Sequence, residues 1–162
     1  MVHPDESHPI PNEILANFRQ VVQKIGNLIN GRRTYELARA GGALDALSHV
    51  AYAVVSHEQL TVEGVEVVAS PEAALHYLEQ KGFRTALVGG GAGLDASFLS
   101  QGLVDEVYVN VEPSLTGAGL TIPGASGAHV ALKLTASRLI QRILRIKRQL
   151  PLSFALPRAT CV

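Results

Sequence analysis

The sequence lacks features that several classes of protein require. Its 162 residues include one cysteine, Cys161, and no tryptophan, and the formal net charge at pH 7 is zero. One cysteine can form neither an internal disulfide nor a cysteine-based zinc site, so we expect a reducing, cytoplasmic setting. A neutral chain has no overall attraction to nucleic acid or anionic lipid. No apolar run approaches the roughly 18 residues of a membrane helix, and the polar N-terminus lacks a signal-peptide core.

The composition favours a folded domain with a well-buried sheet. Hydrophobic residues make up 47% of the chain and charged residues 17%, a balance that argues against disorder. We assign residues 1–149 to one domain and residues 150–162 to an apolar C-terminal extension. Leucines and a phenylalanine make this extension too apolar for a free tail, so we expect it to pack on the domain or on a partner.

Apolar periodicity predicts alternating helices and strands. Asn12 can cap a helix that ends at Gly26, and another helix begins at Ser70, where a serine cap precedes a proline and an acid. Short apolar runs predict strands at 28–29, 50–56, 62–69, 85–88, 105–113, 130–134 and 152–156. With an apparent hairpin near the end, this order predicts an α/β sheet with an antiparallel edge.

The most informative stretch runs from Thr85 to Gly102. Thr85–Val88 has the pattern of an interior strand, four glycines follow between residues 89 and 93, and a helix begins at Ala92. A glycine turn before a helix presents N–H groups and the positive end of the helix dipole, which suits phosphate. From the glycines alone, a phosphate site and a plain tight turn are equally open, because no complete dinucleotide or Walker motif is present.

A second glycine turn, Gly31-Arg32-Arg33-Thr34, also follows a short strand and begins a helix. The carboxyl ends of strands in such sheets face one crevice, where ligands bind. The sequence therefore predicts that the two turns lie close together.

Three segments, taken in order, resemble a known superfamily. They are Gly31-Arg32-Arg33-Thr34-Tyr35-Glu36, then Val54-Val55-Ser56, then Val88–Leu94 with Phe98-Leu99 and Gly102–Glu106. Over roughly Pro11 to Ile146, the chain resembles the dihydrofolate reductase-like superfamily, and within it the bacterial proteins grouped with the riboflavin-pathway reductase C-terminal domain. The resemblance implies a three-layer α/β/α fold whose mostly parallel sheet has an antiparallel C-terminal edge. It also favours a terminal hairpin where residues 139–146 fit either a helix or strands.

The resemblance further implies an NADPH-dependent reductase. Such a protein transfers hydride from the nicotinamide to a small heterocyclic or related substrate, and we expect a homodimer. The alternative is a non-catalytic nucleotide-binding or assembly remnant of the same fold.

Several residues match family positions that hold the cofactor. Gly31, Arg32, Arg33 and Thr34 match the segment that holds the cofactor phosphates. Ser56 matches the strand end near the adenosine 2′-phosphate. The loop under the pyrophosphate and nicotinamide ribose is matched by Gly89, Gly90, Gly91, Ala92, Gly93 and Leu94. The Gly89–Gly90 peptide bond is expected to be cis.

The chain also departs from the family. Gly89 stands where riboflavin-pathway reductases tend to carry a substrate-contacting glutamate, so the pyrimidine substrate is not implied. Glu112 is the carboxylate near the end of the next strand, and we interpret it as structural. The strand that normally opens the family, with its Ser-x-Asp-Gly-like segment, has no counterpart, so we assign no catalytic residue. We expect its central place in the sheet to be filled by the C-terminal tail or a second subunit, unless the reading frame is truncated.

The remaining polar residues give weaker signals. Basic residues crowd positions 138–148, and we favour solvated positions over a nucleic-acid or anion-binding face. The six histidines lack metal-binding spacing, so no metal site is predicted. Asp95 is expected to point outward, since an inward carboxylate would repel phosphate.

Overall fold

The architecture is a mixed sheet with helices on both faces. A computed structural model describes residues 10–47, 49–58, 64–111, 131, 133–140, 143–149 and 158–161. The helices are α1 (Asn12–Ile25), α2 (Arg32–Ala40), α3 (Pro71–Gln80) and α4 (Ala92–Ser100). The strands are β1 (Asn27–Gly31), β2 (Ala51–Val55), β3 (Val65–Val68), β4 (Thr85–Val88), β5 (Val104–Val111), β6 (Lys133–Ile140), β7 (Ile143–Gln149) and β8 (Arg158–Cys161).

The described strands form one sheet in the order β3-β2-β1-β4-β8-β5-β7-β6. All pairs from β3 to β5 are parallel, whereas β7 pairs antiparallel with both β5 and β6. This arrangement confirms the mostly parallel sheet with an antiparallel C-terminal edge, and it confirms the terminal hairpin.

Two apolar clusters lie on opposite faces of the sheet. Successive residues of β4 alternate between them, with Leu87 in one cluster and Val88 in the other. The Leu87 cluster includes Val22 of α1 and Tyr35 of α2. The Val88 cluster includes residues of α3 and α4, among them the fully buried Phe98. Because side chains alternate along a strand, a central strand covered on both faces is apolar throughout.

Local signals explain how several elements begin and end. The Ser70 hydroxyl accepts a hydrogen bond from the Ala73 N–H at 3.2 Å, and Pro71 occupies the first turn, as the sequence predicts. Gly26 ends α1 in the left-handed region with φ of 80°. Asn12 does not cap α1, because Pro11 holds the cap position and makes no side-chain hydrogen bond.

The central slot between β4 and β5 is filled by β8 from the C-terminal segment. Residues 158–161 pair parallel with β4 in a continuous register from Thr85↔Arg158 to Val88↔Cys161, and parallel with β5 on the other side. Residues 158–161 of the same chain therefore provide the neighbouring strand that the backbone N–H and C=O groups of β4 and β5 would otherwise lack. The predicted strand at 152–156 and Glu112 lie outside the described residues.

Candidate functional site

The carboxyl ends of β1 and β4 meet at one edge of the sheet. Ile29 and Val88 are register partners, and the Gly89 N–H donates to the Ile29 carbonyl at 2.9 Å. One residue further on, the Gly31 N–H donates to the Gly90 carbonyl at 3.0 Å. The two glycine turns therefore touch, as the sequence predicts.

A buried asparagine fixes the glycine turn that follows β4. Asn30 is 3% exposed, and its Nδ2 donates to the Gly90 carbonyl at 3.0 Å. The Tyr52 hydroxyl donates in turn to Asn30 Oδ1. Burial raises the pKa of Tyr52, so this hydroxyl keeps its proton near neutral pH. The network pairs polar groups that would be costly to bury alone, and it holds the Gly90 carbonyl in one place.

A second asparagine joins the same strands at the other end of β4. The Asn27 side chain is fully buried, and it donates to the Thr85 carbonyl at 2.7 Å while it accepts from the Leu87 N–H at 3.0 Å. Asn27 and Asn30 are three positions apart in β1, and their side chains hydrogen-bond to the backbone of β4 and of the turn just beyond its end. Sequence analysis missed both roles. The signal that could have revealed these roles is the position of the two asparagines, which flank the buried residues Leu28 and Ile29 in β1.

Two positions in the glycine turn have no room for a side chain. A Cβ on Gly89 would lie 2.8 Å from Leu28 Cδ1 and 2.9 Å from Asn30 Nδ2. A Cβ on Gly91 would lie 2.9 Å from Thr34 Oγ1. Thr34, in the first turn of α2, therefore packs against Gly91 in the glycine turn after β4. Both glycines are needed for close approach of neighbouring chain segments.

The expectation of a cis bond between Gly89 and Gly90 is wrong by one position. The cis bond joins Gly90 and Gly91. Strand-like hydrogen bonding continues through the Gly89 N–H, so the chain leaves the sheet only at Gly90, whose φ is 87°.

The N-terminus of α4 opens at this edge. The Gly91 carbonyl accepts from the Leu94 N–H at 2.9 Å and the Asp95 N–H at 3.0 Å. The N–H groups of Ala92 and Gly93 precede these donors and have no acceptor within the helix. Helix α2 begins beside it at Arg32, immediately after Gly31. Two positive helix ends therefore lie close together, an arrangement that suits a polyanionic ligand.

Arg32 is held by two carboxylates. Its Nε lies 2.9 Å from Glu36 Oε1, one turn along α2, and its Nη1 pairs with Glu58 Oε2. The hydrogen bond to Glu58 is the largest cause of a raised Arg32 pKa, followed by the charge of Glu36. Arg33 is exposed. Of the two arginines, Arg32 is therefore the one whose guanidinium already pairs with carboxylates.

Ser56 shapes the loop that presents Glu58. The Ser56 Oγ accepts from the Glu58 N–H at 3.0 Å and lies 3.0 Å from the Glu58 carbonyl, to which it can donate. Ser56 follows the carboxyl end of β2, and β2 is the parallel neighbour of β1. Ser56 and Arg32 therefore belong to the same edge of the sheet as the glycine turns. Their binding of a cofactor stays a prediction.

Asp95 is buried, which corrects the expectation that it points outward. The residue is 7% exposed, and its Oδ1 has no hydrogen-bond partner among the residues that the structure describes. Asp95 shares the buried side of α4 with Leu94 and Phe98, whereas Gly93 lies on the exposed side. Burial raises the pKa of Asp95 to about 7, so near neutral pH much of its negative charge is neutralised by a proton.

Asp95 should make stability depend on pH. A carboxyl whose pKa is higher in the folded state stabilises the fold at low pH, and that contribution is lost as pH rises from about 4 to 7. We expect Asp95→Asn to remove this dependence, so that the difference in unfolding free energy between variant and wild type grows by about 2–4 kcal/mol between pH 4 and pH 8. Urea unfolding at several pH values measures it. A difference that stays constant with pH would contradict the assignment.

Within the described residues, no cluster of three or more histidine, cysteine, aspartate or glutamate residues could hold a metal ion. In the same part of the chain, no helix combines the length and apolar character needed to cross a membrane.

The fold defines the class of protein. The chain is similar to dihydrofolate reductase from Schistosoma mansoni, with a TM-score of 0.64 and 19% identity over 86% of this chain and 85% of that one. It is also similar to a putative riboflavin biosynthesis protein from Shewanella sp. PV-4, with a TM-score of 0.70 and 21% identity over 89% of this chain and 84% of that one. The chain has the dihydrofolate reductase-like fold.

Sequence similarity then gives the family. The profile of the RibD C-terminal domain matches residues 43–144, more than half of the 162 residues. The chain belongs to the RibD C-terminal domain family. The riboflavin biosynthesis protein RibD of Corynebacterium ammoniagenes is 44% identical over 59 residues, which cover 36% of this chain and 18% of that protein. The match therefore spans less than one fifth of that relative.

Proposed function

We propose that this chain is an NADPH-dependent reductase. The carrying observation is the contact between two glycine turns, in which the Gly31 N–H donates to the Gly90 carbonyl and brings the first turns of α2 and α4 together. Two helix N-termini, together with Arg32 and Arg33, can balance the charge of a pyrophosphate and a 2′-phosphate. Membership of the RibD C-terminal domain family supports a reductase over other ligand-binding classes.

In this proposal the chain's own residues bind and orient the cofactor. The N–H groups of Ala92 and Gly93 receive the pyrophosphate, and Asn30 fixes the carbonyl of Gly90 beside it. A bound reduced nicotinamide supplies the hydride, which passes to a small heterocyclic or related substrate. Assembly as a homodimer is part of the same proposal.

The test is a titration with NADPH, followed by the change in its fluorescence, on wild type and two matched variants. A Cβ on Gly93 would meet no atom of the described residues within 4 Å, so Gly93→Gln and Gly93→Glu are both expected to fold. They differ mainly in one negative charge in the first turn of α4. We expect Gly93→Glu to bind NADPH about tenfold more weakly than Gly93→Gln, since a charge at a helix N-terminus is worth about 1 kcal/mol or more against phosphate.

The design separates binding from folding. A urea unfolding midpoint for Gly93→Glu at or above that of Gly93→Gln would show that the weaker binding is not caused by loss of the fold, since a carboxylate in the first turn of a helix stabilises the helix. Absence of NADPH binding to the wild type would overturn the proposal and favour a non-catalytic remnant of the fold.

A further inference from the structure

The Arg32–Glu58 ion pair lies beside Ser56, the residue that matches the family position near the adenosine 2′-phosphate. Arg32 begins α2 at the end of β1, and Ser56 directly follows the neighbouring strand β2. The two residues therefore flank one point on the sheet edge. Glu58 reaches that point from the loop after β2 and already occupies the guanidinium.

The placement of Glu58 follows from its backbone. The Ser56 Oγ accepts a hydrogen bond from the Glu58 N–H at 3.0 Å, which closes a tight turn. This turn directs the Glu58 side chain back towards Arg32 at the start of α2. The Glu58 side chain is 72% exposed, so it could move into solvent without leaving a cavity. Glu36, in contrast, is fixed on the same helix as Arg32 and holds a different edge of the guanidinium, at Nε.

We propose that Glu58 competes with the 2′-phosphate of the dinucleotide for Arg32 and thereby sets the ratio of NADPH to NADH affinity. This inference rests on the proposed function. A phosphate that binds Arg32 must displace the Glu58 carboxylate and then lie beside a like charge. A dinucleotide without the 2′-phosphate leaves the pair intact, because ribose hydroxyls can accept or donate beside a carboxylate without displacing it.

The test compares adenosine 2′,5′-diphosphate with adenosine 5′-monophosphate by calorimetry at constant ionic strength. We expect Glu58→Gln to tighten binding of the diphosphate about three- to tenfold, the scale of an exposed ion pair, and to change monophosphate binding less than twofold. Glu79→Gln is the matched control. It removes the same charge from an exposed carboxylate at the C-terminal end of α3, opposite the edge where the strands end.

A second comparison identifies Arg32 as the group through which Glu58 acts. In an Arg32→Gln background, Glu58→Gln should no longer change the affinity for the diphosphate. Equal tightening of both nucleotides, or no change of either, would overturn the competition while leaving wild-type NADPH binding as evidence for the proposed function. Failure of wild type and Glu58→Gln to bind any of these nucleotides would overturn both.

Discussion

Thr160→Pro is expected to unfold much of the protein. Thr160 lies in β8 between Leu87 of β4 and Glu106 of β5, so its backbone has a strand on each side. Proline removes the N–H, clashes with the pleated backbone and leaves an unpaired carbonyl in a neighbouring strand. We expect a loss of about 3 kcal/mol or more, a large part of the 5–15 kcal/mol that typically stabilises a domain.

Thr160→Val is the matched control for this prediction. Valine keeps the backbone N–H and suits a strand, so this variant should unfold within about 1 kcal/mol of the wild type. Urea unfolding followed by circular dichroism measures both variants. Equal midpoints for proline and valine would mean that residues 158–161 do not occupy the centre of the sheet.

The second large effect is expected at Gly89. An added methyl group would lie 2.8 Å from Leu28 Cδ1 and 2.9 Å from Asn30 Nδ2, both in buried side chains. Gly89→Ala must therefore push the Asn30 amide away from the Gly90 carbonyl or displace Leu28 in the core. We expect a loss of about 1–3 kcal/mol and weaker NADPH binding, because the same amide fixes the turn.

Gly93→Ala provides the contrast within the same turn. An added Cβ would meet no atom within 4 Å in the part of the chain that the structure describes, and residue 93 lies inside α4. We expect Gly93→Ala to raise the unfolding free energy by about 0.5–1 kcal/mol, because alanine reduces the backbone entropy lost on folding. Thermal unfolding of Gly89→Ala and Gly93→Ala measures the change in stability of each variant relative to the wild type. A destabilised Gly93→Ala beside an unchanged Gly89→Ala would contradict the packing described for this turn.

Local sequence signals were sufficient to predict many of the helices and strands and the positions of the two glycine turns. The Ser70-Pro71 start of α3 is determined by a cap and a fixed φ, both of which act within a few residues. The glycines after Val88 marked a turn because a branched side chain there is excluded sterically. The expectation that both glycine turns face one crevice then followed from the general geometry of α/β sheets, in which ligands bind at the carboxyl ends of the strands.

Features that depend on distant contacts could not be predicted from local patterns. Residues 158–161 form a strand because β4 and β5 offer unpaired backbone on both sides, although Arg-Ala-Thr-Cys has little strand pattern of its own. Asp95 is buried by packing around α4, which polarity alone does not reveal. The pairing of Glu58 with Arg32 joins two loops that are distant in sequence.

The central claim is that the phosphate groups of NADPH bind at the N-terminus of α4, and the Gly93 charge pair tests it most directly. We expect Gly93→Glu to bind NADPH about tenfold more weakly than Gly93→Gln, with an unfolding midpoint no lower than that of Gly93→Gln. Equal affinities of the two variants for NADPH would contradict it, since the added charge would then lie away from the bound phosphates.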